Sequence, residues 1–356
     1  MTDPVPFLKD LLSAPGLSGY EDPVAKIIAD KWQPLVNELS RGNLGSLHGL
    51  RHGTGKPPRP SVMVAAHMDA IGLMVTGITE GFLRISEVGG VDARILPGTP
   101  INVFSTGAGA TKLLHGLVAQ PSAPLLPEQE REAPVTLEHL LVDTGLLPRQ
   151  VQELVRVGDL VSFAQPPVEL NGETLTGHSL DNRASVAALT VCLEELQTLA
   201  HSWDVWAVAT SQEEVGLIGA SSSTFAIHPT IAIVLDVTFA KGPGTSDWQA
   251  FPLGKGPTIA MGPNMHPALH KAIRELADRL EIPYSLEYDP TYSGTDAWAA
   301  QVAAEGLPTM VLGIPLRYMH MPVELVAIKD IQRAGRLLAG FINSLGPDFM
   351  EKMVWE

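Results

Sequence analysis

Apolar residues gather in four runs that end abruptly in polar side chains: SVMVAAHMD (61–69), DVWAVATSQEE (204–214), TIAIVLDVT (230–238) and PTMVLGIPLRYMH (308–320). Continuous runs of this length suit strands buried on both faces of a sheet covered by helices. Between or after them, DPVAKIIADKW (22–32), ASVAALTVCLEELQTLA (184–200), PALHKAIRELADRLE (267–281) and LVAIKDIQRAGRLLAGFINSL (325–345) repeat apolar residues every three or four positions. That period predicts amphipathic helices, and the alternation predicts an α/β fold with a mostly parallel sheet flanked by helices.

The middle of the chain has a different texture. From residue 72 to 164 the strand signals are short and turn-rich, as in GFLRISEVGGVDARILPGTPINVFS and VRVGDLVSFAQ, around a polar, proline-rich stretch at 121–134. This predicts a small β-rich domain (72–164) inserted into a discontinuous catalytic domain (1–71 and 165–356), with one short helix at TLEHLLVDTG or LPRQVQELV. A length of 356 residues, 45% of them hydrophobic, is enough for two cores.

Charge and cysteine content narrow the function classes. The net charge of −15 lacks the basic footprint that nucleic acid or anionic membrane requires, so neither is expected as a partner. The single Cys192 sits at helical spacing among apolar residues, which excludes a disulfide framework or a cysteine-based zinc site and reads as core filling. The amino-terminal stretch has no basic start and no signal-type apolar run, and no apolar run reaches membrane-spanning length, so a cytoplasmic location is expected.

Candidate chemistry lies where the buried runs stop. His67 and Asp69 follow the first, Glu213 and Glu214 end the second, Asp236 ends the third, His320 follows the fourth, and Asp181 precedes a long helix. Ligands of open α/β sheets bind outside the carboxyl ends of the strands, so these residues should converge. Two imidazoles with several carboxylates suit zinc, cobalt or manganese, and a pair of divalent ions sharing one carboxylate would use the set while leaving one acid as a base. Adjacent side chains leaving a strand point differently, which allows Glu214 to bind metal while Glu213 faces substrate.

Each residue also has a plain reading. An isolated HMD arises by chance, an isolated EE is a solvated pair, Asp181 is a helix cap, and Asp236 begins a turn. The other nine histidines read as structural or exposed, with His178 alone placed to support Asp181. The joint pattern is what favours a site.

Ten stretches in order resemble metallopeptidase family 42, the TET and glutamyl aminopeptidases, some of them labelled endoglucanases. They are APGLSGYED (14–22), AAHMDAIGLMV (65–75), GGVDARILPG (89–98), VDTG (142–145), VRVGDLVSF (155–163), SLDNRASVAAL (179–189), SQEEVGLIGA (211–220), VLDVT (234–238), SGTDAW (293–298) and RYMHMPVELV (317–326). The resemblance implies that Asp181 bridges two divalent ions, zinc first with cobalt or manganese as alternatives. His67 and Asp236 would complete one site, Glu214 and His320 the other. Glu213 would be the general base for a hydroxide nucleophile, and Asp69 the acid that orients the His67 ring.

Thr295 and Asp296 match the family's substrate-side loop, and Arg317 reads either as a contact for an acidic substrate side chain or as structural. The resemblance further implies short peptide substrates and a dimer-based homo-oligomer that extends to a hollow dodecamer through the inserted domain. The 121–134 stretch departs from the family, which often carries a histidine-containing segment there. The leading expectation is therefore a metallo-aminopeptidase. A metal-dependent hydrolase of acylated amino acids or glycosides and a non-catalytic assembly protein stand as alternatives.

Overall fold

The computed structural model describes residues 3–107, 109, 111–126, 128, 131, 134–246 and 248–355; within the 121–134 stretch, residues 127, 129, 130, 132 and 133 lie outside the described residues. Helices α1 (Val5–Ser13) and α2 (Asp22–Trp32) lead into strands β1 (Glu38–Arg41), β2 (Leu47–Arg51) and β3 (Ser61–His67). Six shorter strands follow: β4 (Gly72–Thr79), β5 (Phe82–Val88), β6 (Pro100–Ser105), β7 (Lys112–Ala119), β8 (Leu141–Asp143) and, after α3 (Pro148–Leu154), β9 (Leu160–Phe163). The chain then forms β10 (Val168–Leu170), β11 (Thr174–Gly177), α4 (Leu180–Glu195), β12 (Asp204–Thr210), α5 (Ile218–Ile227), β13 (Ile231–Phe239) and β14 (Thr258–Met261). It ends with α6 (Pro267–Arg279), β15 (Ser285–Tyr288), α7 (Asp296–Val302), β16 (Thr309–Arg317), β17 (Glu324–Ala327) and α8 (Ile328–Ser344).

Two sheets result. One has eleven strands in the order β1-β2-β12-β3-β13-β16-β17-β11-β10, with β14 and β15 branching from β16. The other closes into a barrel, β4-β5-β8-β7-β6-β9. The four buried runs form β3, β12, β13 and β16, which are mutually parallel at the centre of the large sheet. The expectation of a mostly parallel sheet needs correction, because β1, β2, β10, β11 and β17 join antiparallel and β14 pairs antiparallel with β16. Those outer strands are short and some are largely exposed, as in ELSR and VEL, so they lack the continuous apolar signal that marks a central strand.

Periodicity placed α2 at 22–32, where it lies. Segments 184–200 and 325–345 shift at their ends: α4 begins at Leu180 with non-helical backbone at Asp181 and Asn182, and residues 324–327 pair as β17 before α8 starts. Within the 72–164 region, a 3-10 turn forms at Leu137–His139 and α3 at Pro148–Leu154. Helices α4 and α8 cover the large sheet, and Trp32, Met63, Leu189, Cys192 and Phe341 belong to its core. Leu73, Val75, Leu83, Val103 and Val161 form a separate apolar core inside the barrel. Among the described residues no helix is long and apolar enough to cross a membrane.

Candidate metal centre

Strand register brings the first donors together. Parallel β3 and β13 align Ala65 with Val234, and His67 and Asp236 each lie two residues further on, at the carboxyl edge of these neighbouring strands. His67 Nε2 lies 3.2 Å from Asp181 Oδ1 and 3.8 Å from Asp236 Oδ1. The other oxygen of Asp181 turns away, with Oδ2 3.5 Å from His320 Nε2, which is itself 3.6 Å from Glu214 Oε2. Donor atoms of His67, Asp181 and Asp236 fall within 4.8 Å of one another, as do those of Asp181, Glu214 and His320. Glu213 joins from the side, its Oε2 3.9 Å from His67 Nε2.

Buried carboxylates hold the turns that carry these donors. The Asp69 carboxylate accepts the backbone N–H groups of Glu213 (3.1 Å) and Glu214 (3.2 Å) and the hydroxyl of Ser18 (2.5 Å). Glu21 accepts the next amide upstream, Gln212 N–H, at 3.0 Å, so three successive amides of the SQEE turn end on two acids. Glu324 accepts Asp181 N–H at 3.0 Å and His320 N–H at 3.3 Å. Arg183, buried in α4, donates to the carbonyls of Leu11, Ala14, Gly16 and Met68, and so binds the amino-terminal loop to the residue between His67 and Asp69. Ser18, Glu21, Arg183 and Glu324 were missed as site residues; their signal was membership of the stretches that carry the family resemblance.

The Asp69 carboxylate, expected to orient the His67 ring, makes its hydrogen bonds to the SQEE turn and to Ser18, and the ring bonds to the Asp69 backbone carbonyl instead. His67 Nδ1 lies 3.2 Å from the Asp69 carbonyl and 3.6 Å from its carboxylate. From the barrel side, Gly89 and Gly90 allow close approach: a Cβ on Gly90 would sit 3.1 Å from His320 Nδ1, and one on Gly89 would sit 3.3 Å from Glu214 Cβ.

The electrostatics follow from burying many acids with few bases. Burial pulls the His67 pKa down, but Glu213, Asp181, Asp69 and Asp236 outweigh it and hold the imidazole well above its ordinary value. Burial raises Glu213 and Glu214 well above the carboxylate range against the opposing charge of His67, and pushes Asp236 up to about 8. Asp69 stays low despite burial, because His67 and Ser18 stabilise its charge. Imidazole nitrogens and carboxylate oxygens that converge while the acids are driven toward neutrality make a donor set that fits divalent cations, since bound cations remove that cost.

A cavity of about 1300 Å³ opens over the cluster, with the side chains of Phe239, Trp248, Tyr292, Thr295, Arg317 and Tyr318 among its walls. Thr295 caps α7, accepting Ala297 N–H, whereas Asp296 is buried behind Glu213 and accepts the Thr210 hydroxyl at 2.5 Å. Burial pushes Asp296 up to about 6. The Arg317 Nε donates to the Lys241 carbonyl at 2.6 Å, which gives that side chain a structural bond. His178 packs edge-on against Phe163, with ring centroids 5.0 Å apart, and burial together with the Arg183 charge depresses its pKa to about 3.

Comparison with known proteins agrees with this architecture. A lysyl aminopeptidase of Pyrococcus furiosus is 36% identical over 96% of this chain and 97% of its own. The TET aminopeptidase of a marine sediment archaeon of the Thaumarchaeota superposes with a TM-score of 0.90 at 29% identity, covering 99% of each chain. The TET1 peptidase of Pyrococcus horikoshii, described as assembling into a tetrahedron or a large octahedral shell, gives a TM-score of 0.81 at 28% identity over 96% of this chain and 100% of that one. Fold, donor cluster and relatives together define a metal-dependent aminopeptidase, a hydrolase of peptide bonds. The chain belongs to the M42 glutamyl aminopeptidase family, whose sequence profile matches residues 45–337.

Proposed function

We propose that the chain releases N-terminal residues from short peptides at a dinuclear centre, with Asp181 shared between two divalent ions. The observation that carries this reading is the split of one carboxylate between two imidazoles: Asp181 Oδ1 lies 3.2 Å from His67 and Oδ2 3.5 Å from His320. His67 and Asp236 would complete one site, and Glu214 and His320 the other. Zinc is the first candidate, with cobalt or manganese as alternatives. Bound divalent ions supply Lewis acidity at the scissile carbonyl and hydroxide near neutral pH.

The chain's own residues do the rest. Glu213 faces the cluster, its Oε2 3.9 Å from His67 Nε2, without being needed as a ligand, which places it to act as a base that takes a proton from water and delivers it to the leaving amine. Asp69 fixes the peptide amides of Glu213 and Glu214, so base and ligand keep their divergent directions. Thr295 and Arg317 line the cavity on the substrate side, and Asp296 supports it from behind. Residues 72–164 act as the inserted assembly domain of a homo-oligomer, a reading supported by the shells described for the P. horikoshii relative.

The test is hydrolysis of a panel of amino-acid p-nitroanilides by chelator-stripped protein, with zinc, cobalt or manganese restored separately. Metal-restored release from one residue class is the expected result, and it names both preference and working metal. Silence across the panel with two ions bound would refute the reading in favour of an acyl-amino acid or glycoside substrate.

A further inference from the structure

We propose that Glu324 is a positioning residue that preorganises one of the two cation sites, the one built from Asp181, Glu214 and His320, more than the other; the inference rests on the dinuclear reading above. Glu324 opens β17 and is 2% exposed. Its two oxygens divide their work: Oε2 accepts the Asp181 amide at 3.0 Å and Oε1 accepts the His320 amide at 3.3 Å. One side chain thus ties together two donor-bearing turns that lie far apart in sequence. Its own backbone is anchored, because its carbonyl accepts the Thr176 hydroxyl at 2.6 Å and Glu324 pairs with Gly177 across β11 and β17.

These turns need an outside hold. His320 has φ 59°, Tyr318 φ 64° and Ser179, two residues before Asp181, φ 68°. Such left-handed conformations are uncommon for residues with a Cβ and persist where surrounding structure enforces them. The Glu324 carboxylate bonds to the amides of Asp181 and His320, whereas the remaining donors of the other site have separate supports. His67 is held by the Asp69 carbonyl, and the Asp236 carboxylate accepts Val237 N–H at 2.8 Å. Glu324 is absent from the donor groups that can share an ion among the described residues, so its action passes through backbone amides rather than coordination. Asp181 serves both sites, so the expected effect is unequal rather than exclusive.

The experiment is calorimetric titration of cobalt into chelator-stripped full-length protein, comparing wild type with Glu324→Gln and Glu324→Ala. Glutamine offers one acceptor oxygen and sets an N–H₂ group against the second amide, so E324Q loses one hydrogen bond and E324A loses both. Wild type should take up two ions. In the variants one of the two Kd values should rise roughly tenfold to a hundredfold, as for other residues that support ligands, while the other moves less, so the ratio of the two should change roughly tenfold. A uniform structural defect would weaken both sites together and leave that ratio unchanged, which overturns the proposal. Unchanged affinity at both sites overturns it as well. If E324A does not fold, E324Q, which conserves size, carries the test alone. A wild type that binds a single ion overturns the dinuclear reading itself, and this inference with it.

Discussion

The barrel and the carboxyl edge of the large sheet treat buried charge differently. In the barrel, strands alternate, as β5 does with its exposed and buried positions in turn, and among the described residues of 72–163 the buried polar groups are Ser105, Asp159 and Ser162. Asp159 is closed off by its own bonds, accepting the Thr106 hydroxyl and the amides of Thr106 and Arg156. At the sheet edge, where β13 and β16 are buried almost throughout, Asp236 of β13 meets Glu213 and Glu214 from the turn after β12, and burial and mutual repulsion raise all three. A single buried carboxylate can be satisfied by local donors, but a cluster needs external positive charge. That contrast separates a structural acid from a functional one.

The contrast breaks most visibly at the shared acid. Asp181→Asn should lower p-nitroanilide turnover to background and reduce bound metal, whereas Glu213→Gln should keep the metal while losing roughly 10²–10⁴ in kcat. Metal content and kcat measured on the same preparations check both, and normal turnover in the Gln variant would rule out Glu213 as the base. Next in size is Asp69→Asn, which keeps one acceptor oxygen but sets an NH₂ group against one of the two peptide N–H groups that the carboxylate accepts. Roughly 10–100-fold should be lost in activity or metal affinity, and titration with zinc reads the second directly.

A smaller effect concerns pH. The His178 pKa is depressed to about 3 in the folded chain, so below its ordinary value of 6.5 the unfolded chain binds a proton that the folded one does not. Its contribution to stability is therefore present above pH 6.5 and is lost at about 1.4 kcal/mol per unit as pH falls toward 3. Denaturant unfolding of metal-stripped wild type and His178→Phe at pH 7 and pH 5 should show the wild type losing more, and parallel losses would exclude this assignment. The smallest effect on stability belongs to the barrel face. Leu113 and Leu117 are 51% and 44% exposed on β7, so replacing both by Glu should lower the oligomer mass seen by light scattering while changing the unfolding of the dissociated protomer by about 0.5 kcal/mol or less.

Four of the candidate ligands, His67, Glu214, Asp236 and His320, were legible because each lies where a long apolar run stops, and a central parallel strand cannot continue apolar into the open edge of its sheet; Asp181 stood out only as an acid before a long helix. Their supporting residues were not. Glu21 in SGYED and Glu324 in MHMPVEL look like ordinary loop acids, and nothing local says that their oxygens receive amides from residues 212, 181 and 320. The same limit applied to the sheet. A nine-residue, almost wholly buried run announces β13, but a three-residue exposed VEL does not announce an antiparallel edge strand.

Local pattern by itself determined the central strands, α2, the texture of the inserted region and the identities of the polar residues at the strand ends, because periodicity and strand termination are properties of adjacent residues. Tertiary structure alone decided which strands run antiparallel, which face of Asp181 meets which imidazole, and which acids serve the backbone rather than the site. Those outcomes depend on register and on contacts between segments more than a hundred residues apart, where burial sets the cost of every unpaired charge.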